Sequence, residues 1–321
     1  MFFVFLFSTY FPSESSQEIN TLSSQLSVTG GNYYLNQCHI SYFEISGSGG
    51  PVYFVSSSVC HLVIENSKFM NCISSGKGGA IRFDCPSYGG CAFDKVCASN
   101  CSATGTDLDN GGQFSYSNTG SSKINYYIMT SHSYCAISSS FYNSLSAHNG
   151  NQLFININSS NNNAVYCAGL YCFLETTCEV SFSTFYNNQA YAINIGFRYC
   201  PAHNIMKWSN VVKSSSPGGY AVIYSGSAVT SIFNTTFTDN AGLLFIVVTS
   251  GSLTVDKCWI AHSGDIGGVN FISTKSYLSS HAITHQFNGL CNIEKSLVLQ
   301  QSDRKTLGQT FFLVFLSHYL V

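Results

Sequence analysis

The sequence predicts an all-β fold, a right-handed parallel β-helix in which short strands coil around one axis and stack in register. Three observations predict it. One strand–turn–strand unit recurs along the chain, apolar residues alternate in short runs rather than at helical spacing, and clusters of Gly, Ser and Asn separate those runs. A single unit is too small to bury its own apolar side, so the copies are expected to stack and share one core.

The clearest copy of the unit is residues 64–83, which read IENSKFMNCISSGKGGAIRF. Its second half is a pair of glycines followed by an apolar strand. This half returns at Gly49-Gly50, Gly78-Gly79, Gly111-Gly112, Gly218-Gly219 and Gly267-Gly268, with weaker copies at 149–155, 189–195 and 241–247. The steps from Gly49 to Gly78 and from Gly78 to Gly111 are similar in length, as a solenoid requires. We expect these glycines at corners that need a positive φ or a close backbone approach.

The first half of the unit recurs as Ser-x-Phe-x-Asn. Its copies are Ser67/Phe69/Asn71, Ser139/Phe141/Asn143, Ser183/Phe185/Asn187 and the related Thr235/Phe237/Asp239. The steps from Phe141 to Phe185 and from Phe185 to Phe237 are each close to two turns of a coil. The pattern predicts Phe side chains stacked inside the coils and Asn side chains at the corners, since Asn tolerates such corners.

The predicted strands include residues 63–65, 80–83, 153–157, 221–224 and 252–255. The repeats run through residues 27–300 without a clear break, which indicates one elongated domain. Charged residues make up 9% of the chain and apolar residues 45%, so a long core is available and Ser, Thr, Asn and Gly must cover much of the surface. The net charge of -2 and the absence of a Lys/Arg cluster argue against a nucleic-acid partner.

The two ends differ from the repeats. Residues 1–26 form an apolar N-terminal segment, which opens MFFVFLFSTYF and is interpreted as a signal peptide or as strand-like residues that cap the first coil. Residues 301–321 are charged and then apolar. The apolar part, 310–321, is shorter than the roughly 20 residues that span a bilayer, so it is the start of a truncated membrane anchor or a final strand. Membrane association stays open.

The 14 cysteines lack the paired short spacings of a zinc site. Two interpretations remain. In an exported protein the cysteines could form bridges within or between coils, and in a reducing compartment they would be small buried hydrophobes. Export to the cell surface or the extracellular space is favoured, with weak support from glycosylation sequons at Asn100, Asn158 and Asn234.

Few residues in the sequence are candidates for catalysis or metal binding. Asp107 and Asp109 are closely paired but lack the later Glu of a calcium loop, which favours a solvated turn. His281 and His285 lack a third metal ligand. Arg82 and Asp84 are expected to form an outward ion pair on one strand. The sequence therefore predicts no catalytic, cofactor-binding or metal-binding residue, and no cofactor.

The motif GGAI at 78–81, with FxxN at 185–188 and 237–240 and the variant FMNC at 69–72, resembles the polymorphic-outer-membrane-protein type of β-helix repeat. That repeat occurs in bacterial autotransported surface proteins and in large protist families of surface proteins. The resemblance spans about residues 30 to 275, although one GGAI copy alone is intact. It implies a secreted or surface-anchored β-helical stalk with an adhesive or antigenic role.

We therefore expect a non-enzymatic surface or secreted protein that binds a glycan or a host or neighbouring surface protein through exposed Tyr, Asn and Ser. Outward tyrosines would stack on sugar rings, and Tyr33, Tyr34, Tyr126 and Tyr127 are the candidates. The alternatives are a carbohydrate-active enzyme with the pectate-lyase-like architecture, which needs two facing carboxylates, or a truncated inactive member of the family.

Overall fold

The computed structural model describes residues 5–12, 14–104, 111–136, 143–174, 176–200, 202–248, 251–262 and 271–276. These residues form a parallel β-solenoid of about eight turns, which confirms the predicted all-β fold with stacked parallel strands. Within those ranges the single helix is Phe5–Tyr10, at the N-terminal end.

Each turn passes through sheet A, then sheet C, then a short strand, and then sheet B, before it enters sheet A of the next turn. Sheet A contains Gln17–Ile19, Gly31–Asn36, Cys60–Glu65, Gly90–Asp94, Ile124–Ile128, Asn151–Ile155, Thr177–Ser181, His203–Lys207, Val229–Phe233, the first part of Ser252–His262, and Phe271–Ser276. Sheet C contains His39–Ser41, Lys68–Met70, Cys97–Ser99, Ser131–Ser133, Asn158–Ser160, Thr184–Tyr186, Asn210–Val212, the first part of Thr236–Val248 and the last part of Ser252–His262.

Sheet B lies on the other side of the core from sheets A and C. Its strands are Leu26–Val28, Val52–Val55, Ile81–Asp84, Ser115–Asn118, Leu145–His148, Cys167–Phe173, Ile193–Arg198 and the later parts of Ser215–Gly226 and Thr236–Val248. The short strands before it are Glu44–Ile45, Ile73–Ser74, Ser102–Ala103, Asn163–Ala164 and Gln189–Ala190. In the later turns the short strand and the sheet B strand merge into one.

The register repeats from turn to turn. In sheet A, Leu62 pairs with Cys91 and Cys91 pairs with Asn125, and the second of these steps is the longer one. Farther along the same sheet, Gln152 pairs with Cys178 over a shorter step. Equivalent positions of neighbouring turns therefore lie one strand spacing apart, about 4.8 Å, and form columns along the axis.

Two columns of residues with φ between 47° and 56° turn the chain between sheets. The column after sheet A is Gln37, Asn66, Lys95, Met129, Asn156, Phe182, Trp208, Asn234 and Lys257. The column after sheet C is Tyr42, Asn71, Asn100, Tyr134, Asn161, Asn187, Lys213 and Asp239. Asn is the commonest residue in both, because its short polar side chain tolerates this left-handed conformation. The predicted placement of Asn at corners is confirmed.

The Ser-x-Phe-x-Asn unit builds the passage through sheet C. Ser67 accepts a hydrogen bond from the Cys38 backbone N–H at 3.0 Å and donates one to the Glu65 carbonyl at 2.7 Å. Phe69 is fully buried, as are Phe185 and Phe237 in later turns. In FxxN the final Asn points inward. Asn240, for example, accepts from the Ser214 backbone N–H at 2.9 Å, so it satisfies a buried donor beside the corner.

One predicted copy of this unit, Ser139/Phe141/Asn143, is described by the structure at Asn143 alone. Ser139 and Phe141 lie outside the described residues, and Asn143 is buried rather than at a corner. The register places Ala98, His132 and Ser159 at the inward positions between the turns of Phe69 and Phe185.

The diglycine pairs at 49–50, 78–79 and 111–112 lie where the chain enters sheet B, and Gly267-Gly268 lies outside the described residues. Gly49 and Gly78 have φ of 73° and 71°, and a Cβ on Gly50 would lie 2.1 Å from the Gly79 carbonyl oxygen. Both expected reasons for glycine are confirmed here. The third pair is shifted by one residue relative to the first two. The Gly50 N–H donates to the Gly78 carbonyl, and the Gly79 N–H donates to the Gly112 carbonyl, so Gly112 is equivalent to Gly78, the first glycine of its pair. The copy assigned to 149–155 is wrong, since Asn151–Ile155 belongs to sheet A and its glycine turns a different corner.

Substitution of Gly79 tests this packing. A Cβ on Gly79 would lie 2.2 Å from the Gln113 carbonyl oxygen and 2.6 Å from the Ser102 backbone, so Gly79→Ala must push two neighbouring turns apart. We expect a loss of about 1–3 kcal/mol in the free energy of unfolding, measured by urea denaturation. Gly47→Ala is the matched control, because its nearest contact would be 3.8 Å away, and equal losses in both variants would contradict the packing.

The cysteines lie in the core. Twelve are buried thiols, namely Cys38, Cys60, Cys72, Cys85, Cys91, Cys101, Cys135, Cys167, Cys172, Cys178, Cys200 and Cys258. Cys97 is disulfide-bonded. Burial raises the pKa of the Cys91 thiol well above its usual value, so the thiol stays protonated and packs as a small apolar group. These twelve thiols pack as small buried groups within the coils.

The N-terminal residues lie along the outer side of sheet A. Phe7 and Phe11 pack with Tyr34, Val63 and Ala92, which belong to successive turns. These residues are helical and cover a lateral face, so the expectation of a strand-like cap is wrong for Phe5–Tyr10. The interpretation as a signal peptide stays a prediction, and residues 301–321 lie outside the described part of the chain. In the described ranges no helix has the length and apolar character needed to cross a membrane.

Candidate ligand-binding face

The outer face of sheet B gathers polar and aromatic side chains in two columns. The first column runs Tyr53, Arg82, Tyr116, Ser146, Tyr171, Gly196 and Tyr224. The second runs Val55, Asp84, Asn118, His148, Phe173, Arg198 and Gly226. Alternation along each strand sends these residues outward while Ile, Leu and Phe point into the core. The stack thus brings together residues that are far apart in sequence.

The N-terminal part of this face is an ion-pair network. Arg82 donates to Asp84 at 2.7 Å, which confirms the predicted outward ion pair. Asn118 donates to the other Asp84 oxygen at 2.9 Å, and Asn149 donates to Asn118 at 2.7 Å. Both oxygens of Asp84 therefore accept hydrogen bonds from neighbouring side chains of this face.

The middle part holds a buried serine–histidine pair. Ser146 Oγ and His148 Nε2 lie 2.8 Å apart, and the His148 ring contacts the rings of Tyr116 at 4.9 Å and Phe173 at 5.2 Å. Burial lowers the pKa of His148 to about 3, with Lys77 acting in the same direction and Asp84 against it. His148 is therefore neutral at physiological pH and serves as a hydrogen-bonded packing residue.

The C-terminal part is a cluster of tyrosines around one arginine, called the tyrosine–arginine cluster: Tyr166, Tyr171, Phe173, Arg198, Tyr199 and Tyr224. The Arg198 guanidinium lies over the rings of Tyr199, at 4.9 Å, and Phe173, at 5.8 Å. The Phe173 and Tyr199 rings meet edge to face at 5.6 Å. Cation–π contacts of this kind hold a guanidinium in place without neutralising its charge.

Glycines make room for the rings of this cluster. A Cβ on Gly196 would lie 3.0 Å from the Tyr171 ring, and one on Gly226 would lie 2.4 Å from the Tyr224 ring. Both glycines occupy outward positions of sheet B, so the tyrosine rings lie against the sheet surface. Tyr199 is 44% exposed and Tyr220 is 48% exposed, which leaves part of the aromatic surface open to solvent.

A second aromatic feature stands on the corner after sheet A. Phe182 and Trp208 occupy adjacent turns and stack at 5.0 Å with an interplanar angle of 18°. Both side chains are 39% exposed and both residues have positive φ. Bulky residues seldom adopt this conformation, and the two rings contact each other over their faces. The stacked faces of this pair are turned toward each other.

The four tyrosines named as sugar-stacking candidates are not on an open surface. Tyr127 is fully buried in the core, and Tyr34 is buried and donates to Glu65. Tyr33 packs partly buried against the core, and Tyr126 contacts Tyr10 of the N-terminal helix at 5.1 Å. Sequence reasoning missed Tyr171, Phe173 and Arg198, whose alternation in CAGLYCF and INIGFR was the available signal.

Two acids missed by the sequence analysis meet on the outer side of sheet A. Glu65 and Asp94 are register partners in adjacent turns, and both are buried beneath the N-terminal helix. Tyr10 donates to Asp94 at 3.2 Å, and Lys95 lies 3.7 Å from Glu65. Glu65 and Asp94 are separated in sequence by the same number of residues as Gly49 and Gly78, which is one turn of the solenoid. This spacing could have predicted that the two acids are neighbours.

Neutralising one of these acids is expected to stabilise the protein. Burial raises the pKa of Asp94, Lys95 opposes the shift and Glu65 adds to it, so the folded state holds the Asp94 proton more tightly than the unfolded state does. A raised carboxyl pKa favours folding at low pH, and this contribution is lost as pH rises through the folded pKa. Asp94→Asn should raise the melting temperature at pH 7 and lose this advantage near pH 3. An advantage that is independent of pH would contradict this origin.

A cavity of about 250 Å³ adjoins the same helix and is lined by Tyr10, Phe11, His61, Lys123 and Tyr126, among others. His61 Nδ1 lies 3.1 Å from the side-chain oxygen of Asn32, and the Asn32 amide donates to Glu14 at 2.6 Å. Burial lowers the pKa of His61, so its imidazole is biased toward the neutral form.

The remaining named residues are placed as follows. Asp107, Asp109, His281 and His285 lie outside the described residues. Of the sequons, Asn100 is exposed at a corner and Asn234 is partly exposed at another, whereas Asn158 is buried in sheet C and is not accessible for glycosylation as folded. Across the described ranges, no group of three His, Cys, Asp or Glu side chains is arranged to hold a metal ion.

The fold and this face define a parallel β-solenoid with an aromatic, arginine-bearing surface on one of its sheets. Comparison of the chain with protein-family models, curated proteins and solved structures finds no match.

Proposed function

We propose that the protein is a non-enzymatic surface or secreted β-solenoid that binds a glycan through the outer face of sheet B. The observation that carries the proposal is the tyrosine–arginine cluster, with Tyr199 44% exposed beside Arg198. Aromatic rings present apolar faces to the C–H groups of sugars, and Tyr and Arg dominate binding hot spots generally. The GGAI and FxxN motifs support an adhesive role of the kind proposed for the polymorphic-outer-membrane-protein type of repeat.

The rigidity of the scaffold supports binding at this face. Phe173 pairs with Arg198 in the register of adjacent turns, and Tyr171 pairs with Gly196 beside it. The side chains of Tyr171, Phe173 and Arg198 are therefore held by strands and by neighbouring rings. A preorganised surface loses less entropy on binding.

A Tyr199→Ala variant tests the role of the face. We expect glycan binding, measured on a glycan array and then by calorimetry with the best array hit, to weaken by about tenfold or more, because aromatic hot spots contribute more than about 1 kcal/mol. Tyr42→Ala is a close control, since Tyr42 is 82% exposed and has the same φ of 56° as Tyr199. Equal binding by both variants and the wild type would refute the assignment, as would an array with no retained glycan.

The second candidate function is a carbohydrate-active enzyme, which the Glu65–Asp94 pair favours. Neighbouring strands are about 4.8 Å apart, close to the about 5–5.5 Å between the carboxyl groups of retaining glycosidases. His61, whose pKa is lowered by burial, lines the cavity beside the N-terminal helix. Release of reducing ends from a polysaccharide, lost in Glu65→Gln, would establish this alternative, and no release by the wild type would remove it.

A further inference from the structure

In the tyrosine–arginine cluster, Arg198 donates hydrogen bonds to the hydroxyl groups of three tyrosines. Arg198 Nη1 donates to the hydroxyls of Tyr166 at 3.3 Å and Tyr171 at 3.4 Å, and Nη2 donates to Tyr199 at 3.5 Å. A guanidinium has five N–H donors and no acceptor. Because Tyr166 and Tyr199 accept from Arg198, the proton of each hydroxyl remains available to another acceptor. Burial raises the pKa of Tyr166, so that hydroxyl stays protonated.

The charge of Arg198 is not balanced within the described structure. The three ion pairs in the described ranges use Arg82, Lys95 and Lys207, and none brings a carboxylate to Arg198. Arg198 is partly buried between two rings rather than extended into solvent. A partly desolvated cation gains more from an anionic partner than a fully solvated one does.

The two observations together specify the ligand. The donors and the positive charge fit a carboxylate or sulfate group, which Arg binds with its planar fork. The partly exposed ring of Tyr199 lies next to the guanidinium and fits the apolar face of a sugar ring. We propose that the tyrosine–arginine cluster binds an acidic sugar, with the anionic group on Arg198 and the ring against Tyr199. This inference rests on the proposed glycan-binding function and adds the chemical class of the ligand.

Calorimetric titration of the full chain with three oligosaccharides tests this assignment: an oligogalacturonide for the carboxylate, a sulfated heparin oligosaccharide for the sulfate, and a cello-oligosaccharide as the neutral reference. We expect the wild type to bind at least one acidic oligosaccharide about tenfold or more tightly than the neutral one. Arg198→Gln should weaken binding of that acidic ligand about 10- to 100-fold, because a hydrogen-bonded charge is removed, and should weaken binding of the neutral oligosaccharide by a smaller factor. Arg198→Lys keeps the positive charge but loses the planar guanidinium. Its affinity for the acidic oligosaccharide should lie between those of the wild type and Arg198→Gln.

Lys213→Gln is the matched control. Lys213 also lies over a tyrosine ring, that of Tyr186 at 5.6 Å, and its Nζ donates to the Tyr186 hydroxyl, but it stands at a corner after sheet C. Its loss should leave acidic-sugar binding unchanged. Equal weakening in Lys213→Gln would show general charge attraction and overturn the proposal. Unchanged acidic binding in a folded Arg198→Gln variant would overturn it as well.

The outcomes separate this inference from the proposed function. If the wild type binds neutral and acidic sugars equally, and Tyr199→Ala alone weakens both, the acidic-sugar inference fails and glycan binding by the face stands. If the wild type binds none of the sugars on the array or in the titrations, both fail. Thermal melting of each variant confirms that the loss of binding is not a loss of the fold.

Discussion

Replacing Phe185 with alanine is expected to lower the free energy of unfolding by about 3–5 kcal/mol. Phe185 is fully buried in sheet C and pairs in register with Ser159 in one neighbouring turn and Val211 in the other. The smaller neighbours cannot fill the space that the ring leaves, so a cavity remains along with the lost transfer free energy. Urea denaturation followed by circular dichroism measures the difference.

Phe182→Ala is the control for that experiment. It removes the same kind of side chain from a nearby position, but Phe182 is 39% exposed on the corner and contacts Trp208. We expect a loss of about 1 kcal/mol or less, as for most surface substitutions that remove an aromatic contact. If Phe182→Ala cost as much as Phe185→Ala, the inward and outward assignment of this strand would be wrong.

Acid is expected to destabilise the protein strongly because two buried histidines must stay neutral. Burial lowers the pKa of His132 to about 4 and that of His148 to about 3, below the roughly 6.5 of the unfolded chain. A depressed histidine pKa contributes stability above the unfolded pKa, and this contribution is lost as pH falls from about 6.5 toward the folded values. The loss near pH 4 is on the order of 3 kcal/mol for each histidine.

The measurement is the free energy of unfolding by urea at several pH values between 7.5 and 4. His148→Gln should reduce the slope below pH 6.5 by about half, since one of the two groups is gone and the amide can still bond to Ser146. His39→Gln changes an exposed histidine and is the matched control. Stability that is level from pH 7 to pH 4 would show that neither ring is buried as described.

The fold could be predicted because residues that occupy equivalent positions in the solenoid recur in the sequence at similar spacing. Phe69 and Asn71 fall at an inward position and a corner, and Phe185 and Asn187 do the same four turns later. The register of the turns between these two copies could not be predicted. The turn from Cys91 to Asn125 is longer than its neighbours, and polar side chains at His132 and Ser159 replace the expected Phe in the core.

The candidate site was harder to predict, since the register decides which side chains share a surface. Tyr126 and Tyr127 are adjacent and therefore point to opposite sides of sheet A, one beneath the N-terminal helix and one into the core. Phe173 and Arg198 become neighbours through a pairing of turns whose register shifts between Cys167 and Leu170. Such an irregularity leaves no mark in the sequence beyond Gly169.

The stacking of turns in register, on which the binding face depends, is tested most directly by distances along the corner column after sheet A. Spin labels introduced without cysteine chemistry at Gln37 and Asn156 are four turns apart, and labels at Gln37 and Lys257 are eight turns apart. Double electron–electron resonance should give about 19 Å and about 38 Å, because each turn adds about 4.8 Å. A second distance no longer than the first would contradict the stack.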